Sequence, residues 1–160
     1  MSSTPSQNII TVAASSTTAG NFTYNLELPE KFWSKNVFEV YTPITFSVEN
    51  FTLNLRESDT SHPNLIIYTG ADSALRVRDF LFSDTRSSTG WYQTRLSFSG
   101  KGNGNVTIDG NFTINSQIPN PSGHALNGVN FEVGIQTFTV GGVLSLSNSN
   151  GNNNVFRTTA

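Results

Sequence analysis

Val106-Thr107-Ile108-Asp109-Gly110-Asn111-Phe112-Thr113-Ile114 is the stretch on which the reading of this chain turns. Apolar and polar residues alternate on both sides of Asp109-Gly110, and a period of two sets one face of a strand against a core and the other against water. Asp-Gly between two such runs predicts a tight hairpin, because a type I′ turn requires positive φ at both central residues. Phe51-Thr52-Leu53-Asn54-Leu55 and Leu96-Ser97-Phe98 repeat the alternation, and Gly141-Gly142 between Phe138–Val140 and Val143–Leu146 reads as a second hairpin. About nine or ten strands result, too many for one flat sheet and suited to two packed layers. The expected fold is all-β, an antiparallel β-sandwich.

Composition supports strands over helices. Asn, Ser, Thr and Gly make up about 44 % of the 160 residues, and only 12 % are charged. Short hydroxyl and amide side chains suit strand surfaces and turns, whereas helix surfaces favour Glu, Lys, Gln and Arg. Phe is the leading aromatic, with twelve copies against two Trp and four Tyr. The net charge is −2. With no run of Lys or Arg to neutralise a phosphate backbone, no nucleic-acid partner is expected. Cysteine is absent, which removes disulfides, thiolate nucleophiles and Cys-based zinc sites.

The chain length fits one domain. Residues 1–20 read as a flexible or strand-exchanged arm and residues 21–160 as a single sandwich domain. The arm has no basic region and no seven-residue apolar run, so it is not a signal peptide, and no later segment is long enough to span a bilayer. The expected location is cytoplasmic, or outside the cell by a non-classical route, with no integral membrane association. Sequons fall at Asn21, Asn50, Asn105 and Asn111, three of them Asn-Phe-Thr; a chain so rich in Asn and Thr produces them by composition. Phe38-Glu39-Val40 is echoed by Phe131-Glu132-Val133, a low-grade sign of equivalent hairpins in two halves of a sandwich.

Signatures of catalysis are missing. His62 and His124 lie in loops without a partner at ligand spacing, and there is no HExxH, Gly-x-Ser-x-Gly or phosphate loop. Asp59, Asp72 and Asp84 fall in loops without EF-hand spacing, so neither a metal nor another cofactor is expected. Glu39 and Glu132 are the one pair of carboxylates that a sandwich would set on a single sheet, as a glycosidase requires.

The most informative surface comes from two consecutive strands. With Leu75, Val77 and Leu81 inward, Arg76, Arg78, Phe80 and Phe82 point outward; with Leu96 and Phe98 inward, Trp91, Gln93, Arg95 and Ser97 do. If loop 83–90 returns the chain beside itself, Arg76, Arg78, Trp91, Gln93 and Arg95 share one face. An exposed Trp stacks on the C–H face of a sugar while Arg and Gln donate planar hydrogen bonds to its hydroxyls.

This arrangement resembles the sugar-binding face of galectins, whose motif runs His-x-Asn-x-Arg, then Asn, then Trp-x-x-Glu-x-Arg. His62-Pro63-Asn64 keeps the first two members, with Ile66 at the Arg position; Trp91 is kept, Thr94 replaces the Glu, and Arg95 falls one place early. The resemblance, over residues 50–100, implies a jelly-roll or galectin-like sandwich that binds a glycan through His62, Asn64, Arg76, Arg78, Trp91, Gln93 and Arg95. It carries no β-galactoside preference. Shallow sugar sites gain avidity by multivalency, so a homo-oligomer is expected. The main functional reading is thus a non-catalytic, lectin-like protein. A structural or virion-type assembly protein using the same face is the alternative, and a glycoside hydrolase with Glu39 and Glu132 a second.

Overall fold

The computed structural model describes residues 6–27, 33–56, 62–84, 93–116, 128–134, 137–148 and 155–158. The strands are β1 (Ser6–Val12), β2 (Ser16–Glu27), β3 (Trp33–Val40), β4 (Thr45–Arg56), β5 (His62–Thr69), β6 (Ala74–Asp84) and β7 (Gln93–Gly100). They continue with β8 (Asn105–Ile108), β9 (Phe112–Ser116), β10 (Gly128–Gly134), β11 (Thr137–Val140), β12 (Leu144–Asn148) and β13 (Val155–Thr158). Sheet A has the order β1-β3-β5-β7-β10-β13; sheet B runs β11-β8-β6-β4-β2, with β9 on β6 and β12 on β9.

Every pairing in both sheets is parallel. The chain alternates between the sheets, so each strand of one is the crossover that parallel pairing in the other demands. The molecule is a β-solenoid. The antiparallel sandwich, jelly-roll or galectin-like, is overturned, because every pair is parallel and no two strands consecutive in the chain pair with each other.

Asp109-Gly110 shows why the expectation failed. It is a corner: β8 and β9, on either side of it, both lie parallel to β6. The Gly110 amide donates to the Arg78 carbonyl at 2.6 Å, the Asp109 amide to the Val77 carbonyl at 2.8 Å. A Cβ on Gly110 would stand 2.5 Å from Asp79 Oδ1, so glycine is required by the close approach of the preceding coil. Gly141-Gly142 is the same corner one coil later, between β11 and β12.

The corner also resets the side-chain alternation. Leu75 and Val77 point inward as expected, but Arg78 and Asp79 both lie on the outside, after which Phe80 and Phe82 turn inward at 1 % and 0 % exposure. Leu81 takes the outer, half-buried position. The expected outward Phe80 and Phe82 are therefore core residues.

The interior is built of columns running along the coil axis. One is Phe22-Phe51-Phe80-Phe112-Leu144, each residue in register with the next. Ring centroids lie 4.9 Å apart for Phe22–Phe51 and Phe51–Phe80, and 5.1 Å apart for Phe80–Phe112. This is the strand spacing itself, and burying such large rings is the main stabilising contribution. Sheet A answers with Ile10-Phe38-Ile67-Phe98-Val133; Phe98 meets Phe80 and Phe112 edge-on across the core.

Polar columns mark the corners. Asn50 Nδ2 donates to Asn21 Oδ1 at 2.6 Å, the Asn111 amide to Asp79 Oδ1 at 2.8 Å, and the Val143 amide to Asn111 Oδ1 at 3.0 Å. At the opposite corner, the Asp72 amide donates to Asn103 Oδ1 at 2.7 Å, and Asn103 Nδ2 returns a bond to the Asp72 carboxylate. Corner amides that no ladder serves are thus satisfied by Asn and Asp from the neighbouring coil.

Candidate functional site: the open end of the coil

The residues expected to bind a sugar do not form one face. Arg76 and Arg78 stand on the outside of sheet B, whereas Asn64 and Arg95 stand on sheet A, in register on β5 and β7. His62 and Gln93 are backbone members of β5 and β7, also on sheet A; Trp91 lies outside the described residues. The surface that motivated the lectin reading required β6 beside β7, and these strands belong to different sheets.

The sheet B arginines are engaged by carboxylates. Arg76 grips Asp109 with Nε at 3.1 Å and Nη2 at 3.3 Å, which raises the guanidinium pKa further. Arg78 donates from Nε to Asp79 at 3.0 Å, from Nη2 to Asn50 Oδ1 at 3.2 Å, and from Nη1 to Glu49. The Asn111 amide, followed by the Arg78 guanidinium, holds the Asp79 carboxyl below its ordinary range. The exposed pairs Arg76–Asp109 and Arg78–Glu49 join one coil to the next and contribute little stability.

The outer face of sheet A carries a shallow concavity of about 260 Å³ lined by Asn64, Ile66, Arg95, Ser97, Ser99 and Gly134, with Phe98 behind it. Asn64 Oδ1 has no hydrogen-bond partner among the described residues. Phe98 is 0 % exposed, so it offers no stacking surface to a sugar ring. The expected carboxylate pair is not set side by side by the sheet. Glu39 is on β3 and Glu132 on β10, three strand positions apart, and Glu132 is in register with Ser97, Ile66 and Val37 rather than with Glu39. Three strand spacings set the two backbones roughly 14 Å apart, so these strands are not neighbours on the sheet.

Among the described residues, one carboxyl side chain is fully buried. Asp84, which the sequence placed in a loop, ends β6 at 0 % exposure and accepts a 2.7 Å hydrogen bond from the equally buried Thr94 hydroxyl. Its backbone is in register with Leu55 on one side and Ser116 on the other, and the Asp84–Thr94 pair is a polar contact within the apolar interior. Among the described residues, no group of three or more His, Cys, Asp or Glu is placed to hold a metal ion.

The least ordinary surface is where sheet B stops. Leu144 and Leu146 occupy the interior columns above Phe112 and Ile114, yet they are 41 % and 37 % exposed, and the adjoining Val143 is 64 % exposed. Phe138 and Val140 on β11 are only partly covered. Among the described residues no further strand is laid on the outer edge of β11 or β12. Proteins ordinarily protect such an edge with charge, proline or a covering element; neither Thr137–Val140 nor Leu144–Asn148 has a charged residue or a proline.

Comparison with known proteins leaves the argument to the structure alone: no protein family, no curated protein and no solved structure matches the chain. No helix among the described residues is long and apolar enough to cross a membrane.

The sequence did contain the missed signal. Asn21-Phe22-Thr23, Asn50-Phe51-Thr52, Asp79-Phe80-Leu81 and Asn111-Phe112-Thr113 are one repeated unit, an Asx corner followed by a core Phe and an outer residue. The side-chain bonds Asn50–Asn21 and Asn54–Asn25 each join residues 29 apart. Three of these four triplets are the Asn-Phe-Thr sequons that composition had seemed to explain.

Proposed function

We propose that this chain is a non-catalytic structural protein of the fibre or virion type, whose rigid coil associates with other molecules through the open end of sheet B. The observation that carries this reading is the exposure of Val143, Leu144 and Leu146 on an uncharged strand edge. Contiguous apolar surface on a protein otherwise coated with Asn, Ser and Thr marks an interaction site, and an unpaired edge adds main-chain hydrogen bonds to it. The face first expected to serve assembly does not exist, because its residues are divided between two sheets; the contact moves to the coil end.

Sedimentation velocity tests the reading. The wild-type chain should sediment as a multimer at micromolar concentration, and the Leu144→Lys/Leu146→Lys double variant as a monomer with the same β-type circular dichroism. A monomeric wild type at these concentrations overturns the proposal.

A further inference from the structure

Resting on that assembly reading, we infer that the occupant of the open end is β2 of a second copy, stacked head to tail, and that its β1 takes the place of β13. Among the described residues, sheet B ends at β11/β12 on one side and at β2 on the other. They terminate the same columns. Phe22 begins the one that Leu144 ends, and Tyr24 begins the one that runs through Leu53, Phe82 and Ile114 to Leu146. Phe22 and Tyr24 are only half-buried, and burial already raises the Tyr24 pKa. Among the described residues no polar residue closes either column, and residues 16–26 contain no charge to repel a neighbour.

Stacking in the same sense continues every column at the spacing of a parallel sheet. Leu144 then meets Phe22, Ser145 meets Thr23, and Leu146 meets Tyr24. A two-fold arrangement, with the β12 end against its like, sets strands antiparallel where all others are parallel and brings β13 against β13. The head-to-tail contact uses two different surfaces and does not close, so it generates a filament.

The ends are out of step by one strand. Sheet A extends to β13 beyond the last strands of sheet B, and an incoming β2 seated on β12 brings its own β1 to the position that β13 holds on β10. One of them must yield. β1 runs beside β3 for seven residues, whereas β13 runs beside β10 for four. The incoming β1 keeps its hold on β3 while it replaces β13, with Ile10 falling beside Val133 in the column shared by Phe38, Ile67 and Phe98. β13 is thereby a removable stop on growth.

The native chain has no cysteine, so cross-linking reports the junction directly. Thr23 and Ser145 lie on the outer face of their strands. A mixture of Thr23→Cys and Ser145→Cys full-length chains, treated with a short bis-maleimide, should give a covalent dimer that neither gives alone, and the double variant should give a ladder of multimers. Phe156→Pro, which removes an amide donor from β13, should raise the cross-link yield several-fold. Self-linking of Ser145→Cys, or no link in a sample that sediments as a multimer, overturns the head-to-tail junction and leaves the assembly reading standing. An unchanged or lowered yield with Phe156→Pro overturns the exchange of β13. A sample that sediments as a monomer overturns both.

Discussion

Phe80 and Leu144 stand in one interior column, two coils apart. Phe80 is 1 % exposed and Leu144 41 %. Each sits on an alternating strand, with its side chain turned toward the axis. The difference is the neighbour: Phe80 has Phe51 on one side and Phe112 on the other, and Leu144 has Phe112 on one side only among the described residues. In a solenoid, burial is conferred by the adjacent coil and not by the strand that bears the residue. An apolar pattern therefore tells where the inside of the coil is, but not where the coil ends.

The largest test of this contrast is truncation at both positions. Phe80→Ala should cost about 3–5 kcal/mol, and Leu144→Ala about 1 kcal/mol in dilute solution, both read from urea unfolding. Equal costs would show that another element covers Leu144. A second test contrasts two corner glycines. A Cβ on Gly110 meets Asp79 Oδ1 at 2.5 Å and the Arg78 carbonyl at 2.8 Å, while one on Gly20 meets nothing within 4 Å. Gly110→Ala should then destabilise by about 1–3 kcal/mol through overpacking, and Gly20→Ala should be neutral or stabilise by up to about 1 kcal/mol by stiffening the unfolded chain.

The buried Asp84–Thr94 pair gives a third, comparable test. Thr94→Val keeps the shape but removes the hydroxyl that serves buried Asp84, at a cost of about 1–3 kcal/mol. The equivalent loss on the outside should be smaller. Asp79 has its pKa lowered in the folded state, so its contribution to stability is present above the ordinary carboxylate value and disappears as pH falls through the lowered one. Unfolding midpoints measured at neutral pH and near pH 3 should fall slightly further for the wild type than for Asp79→Asn.

Much of the local structure was legible in the residues. The inward faces of Phe51–Leu55 and of Leu96 and Phe98 follow the alternation, and the Gly and Asp turns fall at real changes of direction. What alternation does not encode is the direction of the neighbouring strand. Asp109-Gly110 serves a hairpin and a solenoid corner equally well, since both need a tight bend with little side-chain bulk. Arg78-Asp79 reversed the facing of everything after it, so Phe80 and Phe82 were read as surface. The sugar site depended on that misplaced face and on β6 lying next to β7. The open end could not be seen at all, because Leu144 and Leu146 carry the same pattern as the core leucines. Recurrence of the Asx-Phe unit at 21, 50, 79 and 111 was the available clue, and it speaks of period, where strand patterns speak only of facing.

The constant interval between the central coils has a consequence for how such a protein changes size. Asn50 and Asp79 occupy equivalent corners, and Phe51 and Phe80 equivalent core positions. Excising residues 51–79 would join Asn50 directly to Phe80 in the same corner-to-core order, and inserting one extra copy of that segment would do the same in reverse. Each such event alters the rod by one strand spacing, about 4.8 Å. The molecule is graduated like a ruler, and its length can be revised in whole divisions without redesigning its cross-section.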